Sequence, residues 1–203
     1  MKKATLFIGL AAILALFRAA AAEEAEAQAE AGPTADEVVA FQASLTPNVA
    51  IRDRGTMIEG LSINLWGENP QKGLAVGCVN GATGESKGAS LGLFNYAERY
   101  TGIQWGLANS TEGDFSGWQG GPILGLIVSG FNHTGGTLRG LQSGLVNDAG
   151  CLSGVQVGLV NYAATADEGV QLGIVNVIHN NAAWFTRFPD ELAPGMVFLN
   201  WRF

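Results

Sequence analysis

From Gly60 onward the chain alternates apolar residues with small or polar ones in short, recurring bursts. The clearest two read GVQVGLVN from Gly154 and GVQLGIVN from Gly169. Counting the opening glycine as position one, even positions two to six are apolar, except Ser143 at position four and Gly130 at position six. Position two runs Leu61, Leu74, Ala89, Ile103, Leu126, Leu141, Val155 and Val170. Position three is mostly Ser or Gln, and position five mostly Gly. Alternation with period two puts all even positions on one face of an extended chain. A helix would need apolar residues three and four apart, and each repeated glycine would cost it about 1 kcal/mol against Ala. The bursts predict strands. Their opening glycines, Gly60, Gly73, Gly88, Gly102, Gly125, Gly140, Gly154 and Gly169, are spaced 13, 15, 14, 23, 15, 14 and 15 residues apart. The long gap holds FSGWQGGPIL, which reads as a damaged extra unit around Gly117 and Trp118.

Between the bursts lie NGATGESK, NSTEGDFS and NHTGGTLR, all rich in turn-forming residues. Asn closes every unit but the first, where Gly67 stands instead. Asn tolerates left-handed backbone and bonds its own main chain, so the Asn series reads as strand ends entering turns.

Two all-β arrangements fit strands joined in this way. An antiparallel up-and-down meander would close into a small barrel of about 8–10 strands, with each turn a hairpin. A β-solenoid would make each unit a coil of 14–15 residues, with equal positions stacked. The last strand favours the barrel. MVFLNWRF ends the chain with Val197, Leu199, Trp201 and Phe203 on one face, which resembles the closing strand of bacterial outer-membrane barrels. In the barrel, the even face meets lipid and the Gly, Ser and Gln face looks inward. In the solenoid, stacked Asn and Gln ladders bond coil to coil, and the even-position Leu, Val and Ile form a dry core. Two features resist the barrel: an eight-residue unit is short for a bilayer, and the aromatic girdles are thin.

The N-terminus changes the compartment. MKKATLFIGLAAILALFRAAAA has a basic start, an apolar run from Ala4 to Phe17 and small residues before Glu23, so residues 1–22 read as a secretory signal peptide. Residues 23–37 form an acidic, low-complexity lead-in, and residues 38–203 a repeat-built β domain. The 203 residues carry 11 Lys plus Arg against 18 Asp plus Glu. Loss of Lys2, Lys3 and Arg18 with the leader would bring the net charge from −7 to about −10. That excess argues against nucleic acid as a partner. Cys78 lies at an apolar strand position and Cys151 in a turn, and the sequence leaves their pairing open.

Candidate chemistry is sparse. His133 and His179 follow strand ends, and no spacing links either to a positioned Ser. No compact set of metal ligands occurs. Asp190 and Glu191 are adjacent, so in an extended segment they point apart, and Pro189 and Pro194 mark a rigid loop before the last strand. GGP and HTGGT lack the Lys and the strand–loop–helix setting of a phosphate cradle. Trp184, Phe185 and Phe188 in the late loop are the best exposed aromatic candidates, suited to a membrane interface, a plug at one end, or a binding patch. No catalytic, cofactor or metal site is expected, and no cofactor.

The chain resembles a group of bacterial exported surface-repeat proteins with GLQLGLVN-like units. The resemblance covers Phe41 to Phe203 and rests on FQASLTPNVAI, LSINLWGEN from Leu61 to Asn69, the repeat, and WFTRFPDELAPGMVFLNWRF. It implies an exported protein of the outer membrane or cell surface of a Gram-negative-type bacterium, and carries over no activity and no catalytic residue. The resulting expectation is a non-enzymatic outer-membrane or surface β-barrel in contact with membrane lipid. The alternative is a soluble or surface-attached β-repeat module binding a glycan or protein. The sequence names no small-molecule ligand and no protein partner.

Overall fold

The computed structural model describes residues 38–123, 126–127 and 129–203. The expected leader (1–22) and acidic lead-in (23–37) lie outside the described residues. The strands are β1 (Val38–Thr46), β2 (Val49–Ala50), β3 (Met57–Glu68), β4 (Lys72–Leu91), β5 (Phe94–Trp105) and β6 (Ala108–Thr111). They continue with β7 (Phe115–Gly120), β8 (Pro122–Ile123), β9 (Leu126–Ile127), β10 (Ser129–Val157), β11 (Val160–Ile178) and β12 (Gly195–Arg202). The described residues contain no helix.

The all-β reading holds. Of the two arrangements, the solenoid is the one that forms, with about nine coils. The pairing decides this. β3 to β4, β4 to β5, β5 to β6 and β7, β6 and β7 to β10, and β10 to β11 all run parallel. An up-and-down barrel needs each neighbour reversed, so the antiparallel barrel is not what these strands build. Equal repeat positions sit side by side: Gly88 on Gly102, Gly102 on Gly117, Gln104 on Gln119, Asn95 on Asn109. Within the ten-stranded sheet, only the pairings at its two ends reverse. β2 folds back on β1, and β12 lies antiparallel on β11. These short reversed strands cover the two edges that would otherwise template further pairing.

The register also corrects the unit placed at Gly125. The coil opens at Gly117, which pairs with both Gly102 and Gly140. It resumes at Gly130, whose N–H reaches the Leu107 carbonyl as the Leu107 N–H reaches that of Leu93. Residues 122–129 are an insertion at that corner, within which β8 pairs antiparallel with β9.

The opening glycine is required by close approach. Gly117 has φ 134°, in the region that side chains avoid. A Cβ there would fall inside the Gly102 carbonyl oxygen. Gly88, Gly102 and Gly140 repeat this geometry, each against the glycine one coil earlier.

The odd positions face inward and the even positions outward. The interior is therefore not the dry Leu, Val and Ile core expected of a solenoid. Gln104, Gln119, Gln142, Gln156 and Gln171 at position three are fully buried, as are the closing asparagines from Asn109 to Asn176. The apolar core is small. It stacks Ala82, Ala97, Ala149 and Ala163 two residues after each Asn, then Tyr100, Phe115, Leu138 and Leu152 farther round the coil.

Candidate functional site

The closing asparagines form one continuous column. Each Nδ2 donates to the Oδ1 of the next coil, through Asn64, Asn80, Asn95, Asn109, Asn132, Asn147, Asn161 and Asn176, at 2.8–3.0 Å. Where the geometry allows, the second proton goes to the backbone carbonyl of position four one coil on: Leu91, Gly120, Val157 or Leu172, at 2.8–3.0 Å. The strand spacing of about 4.8 Å suits this, because it is also the repeat of a stacked amide row. Asn64 belongs to position five, not eight. Its side chain swings into the space a side chain at Gly67 would occupy, so the first coil supplies its amide from a different place. Ser44 donates to Asn64 and starts the row.

The glutamines form a second column with the opposite sense. Gln119, Gln142, Gln156 and Gln171 each donate Nε2 to the Oε1 of the preceding coil at 2.8 Å. Thr134 donates to the Gln119 Oε1, and Gln142 in turn reaches the Thr134 hydroxyl. The Asn series is thus a structural ladder and not a set of turn signals, and it occupies the space where an interior site would lie.

The outer surface is the reverse of the interior. Positions two, four, six and seven carry no charged residue in the described coils opened from Gly60 to Gly169. The chain bends at the position five–six pair, as at Gly92–Leu93, Gly106–Leu107 and Gly158–Leu159. Position six forms the corner, where Leu65 is 54%, Leu93 48%, Leu159 49% and Ile174 56% exposed. Nine coils at about 4.8 Å make this apolar corner about 40 Å long. Backbone groups at the corner are paired coil to coil: Gly92 N–H to Trp105 O, Leu93 N–H to Cys78 O, Leu159 N–H to Leu145 O. Trp105 and Trp118 meet edge-to-face on its flank, with ring centroids 5.0 Å apart. Charged groups collect on the far side of the coil, at Glu85, Glu98, Arg99, Asp114 and Asp167.

The expected candidates separate. His133 stands just past the Asn row, its Nδ1 2.6 Å from Asp148 Oδ2 and its ring stacked on Phe131. His179 is exposed near the C-terminal end, in a different coil. Asp190 and Glu191 do point apart. Glu191 is buried, bound by Arg202 and by the Ala182 N–H, while Asp190 is exposed. Cys78 and Cys151 are both free thiols. They lie four coils apart, about 19 Å along the axis, far beyond disulfide reach. Cys78 is on the corner and Cys151 on the charged side. Trp184 (65%) and Phe188 (62%) are exposed beside the C-terminal cap. There β12 exposes Val197 and Leu199 and buries Asn200, but Phe198, with φ 68°, is 74% exposed and breaks the alternation the sequence predicts. Among the described residues, no group of three or more His, Cys, Asp or Glu is placed to hold a metal ion.

One polar cluster was not anticipated. Trp66 donates to the Tyr96 hydroxyl, which donates to Glu68 at 2.6 Å, and Arg54 reaches the same carboxylate oxygen. Burial first, then the Glu68 charge, hold the Tyr96 phenol far above its ordinary range. Its residues fall at different repeat positions, so no spacing signals it.

No family model, no curated protein and no solved structure matches this chain.

Proposed function

We propose that this is an exported, non-enzymatic structural module that is held at the outer membrane or cell surface of a Gram-negative-type bacterium by its apolar corner. The all-β repeat fold is compatible with a structural or surface repeat module. The observation that carries the reading is the inverted partition of side chains. The chain fills its interior with self-paired amides and leaves Leu65, Leu93, Leu107, Leu159 and Ile174 outside at the same position of their coils. An exposed apolar surface of this length marks an attachment surface in a soluble fold. The basic, apolar N-terminal segment supports export, and the resemblance to exported surface-repeat proteins points the same way.

Fractionation of cells producing the full chain tests this. The protein sediments with the envelope, resists high salt and is released by detergent. The double variant Leu93→Glu/Leu159→Glu moves to the soluble fraction. Release by salt alone refutes attachment through an apolar surface.

A second reading rests on Trp184, Phe185 and Phe188, all exposed in the loop before β12. Aromatic faces of this kind suit stacking on a sugar ring or anchoring a protein partner. Loss of binding to an immobilised glycan panel on Trp184→Ala would support it.

A further inference from the structure

We infer that the occupant of the apolar corner is a lipid bilayer surface, on which the solenoid lies with its axis in the membrane plane. This rests on the attachment reading above. Three observations carry it. First, the corner is uncharged along its length. Second, its backbone groups are already paired coil to coil, so it can enter hydrocarbon without stranding a polar group, the condition that restricts what a membrane interior accepts. Third, the corner is convex. A second copy of this chain could bury only one flat flank, positions two to four, about 10 Å by 40 Å. That is about 400 Å² per copy, or about 800 Å² in all, below the ~1,200 Å² of a stable interface. A fluid lipid surface conforms to a ridge that a rigid partner cannot. The net charge, −7 for the full chain and about −10 without the leader, disfavours a strongly anionic membrane, so zwitterionic lipid is the surface that fits.

The two thiols provide reporters on opposite sides. The full chain is labelled with an environment-sensitive fluorophore at Cys78 in a Cys151→Ser background, and at Cys151 in a Cys78→Ser background. Phosphatidylcholine vesicles are then added. The Cys78 label shifts to the blue and becomes shielded from aqueous iodide, while the Cys151 label does neither. Leu93→Glu/Leu159→Glu, with an unchanged far-UV spectrum, partitions at least about a hundredfold more weakly, since each buried leucine contributes about tenfold. Vesicle binding that leaves the Cys78 label in water overturns the inference, because another segment then holds the protein. A blue-shifted Cys78 label before vesicles are added, with a dimer mass, assigns the corner to a second copy and also overturns it. If neither label responds yet the double variant still leaves the envelope fraction, attachment stands and lipid falls. If the variant stays in the envelope, both fall.

Discussion

Replacing Asn147 with Ala tests the claim that an amide row holds the coils together. Asn147 accepts from Asn132 at 2.8 Å, donates to Asn161 at 2.8 Å and donates to the Val157 carbonyl at 2.9 Å. All three partner groups lie in other coils; the Asn132 and Asn161 amides are buried, and Val157 is partly exposed. A net hydrogen bond contributes about 1 kcal/mol, and a stranded buried partner costs about 1–3 kcal/mol, so the expected loss is about 3–6 kcal/mol. That is a large share of the ~5–15 kcal/mol by which a domain is stable. Asn176→Ala should cost about half as much. Asn176 ends the row, accepting from Asn161 and donating to Gly173 within its own coil. Val146→Ala, one residue before Asn147 and on the outer face, should cost less than either. Urea unfolding followed by far-UV circular dichroism gives the midpoints, compared at equal m-value. Hydrogen exchange should show lost protection in the coils on both sides of Asn147, because solenoid coils are coupled to their neighbours. A cost below about 1 kcal/mol, or one equal to that of Val146→Ala, would refute the ladder as a source of stability. Asn147→Asp sharpens the test. Buried, its carboxyl titrates above its ordinary value, so the folded state binds the proton more tightly and the deficit shrinks as pH falls.

The glycine column and the tyrosines provide two further predictions. Gly117→Ala should cost more than about 2 kcal/mol, because the new Cβ meets a carbonyl oxygen and the backbone is left-handed. Gly84→Ala, with φ 60° but open space, should cost about 1 kcal/mol, and Gly55→Ala, with neither problem, should be neutral or slightly stabilising in thermal melts. Burial raises the phenols of both Tyr96 and Tyr100. Each folded pKa lies above its unfolded value, so this contribution to stability is complete below about pH 10 and declines as pH rises beyond it. In a Tyr162→Phe background, absorbance near 295 nm should therefore change together with loss of the far-UV signal, and ionisation well ahead of unfolding would contradict the burial.

Alternation made the strands legible, but it tied the inward Gly, Ser and Gln face to a barrel and assigned the solenoid a core of Leu, Val and Ile. The sense of the connection was not legible, because an alternating eight-residue unit reads the same whether its neighbour runs parallel or antiparallel. The segments taken for hairpin turns are the remaining side of each coil. They carry their own inward pattern: an Asn, an Ala two residues later, and often a large apolar residue three residues beyond that, as in Asn95, Ala97 and Tyr100 or Asn147, Ala149 and Leu152. Gly125 stood out as a unit opening because GLIVSGFN copies the apolar spacing. The decisive residue was Gln119, two after Gly117, which continues the buried glutamine column between Gln104 and Gln142. The apolar face was legible, and the barrel reading turned it outward, but as the wall of a closed sheet and not as the corner of a solenoid. A coil of 14–15 residues encloses too little space to take both faces, and the amides, which satisfy one another, took the inside.

The two amide rows run in opposite senses, Asn donating toward the C-terminal end and Gln toward the N-terminal end. Their dipoles therefore oppose, where two rows of the same sense would add with every coil. In the coils that hold both rows, the stack gains no growing field along its axis. Length is then electrostatically free: such a chain could gain or lose whole coils by duplication without building charge at its ends, and the span of its corner could be set by how many copies of one phrase it holds.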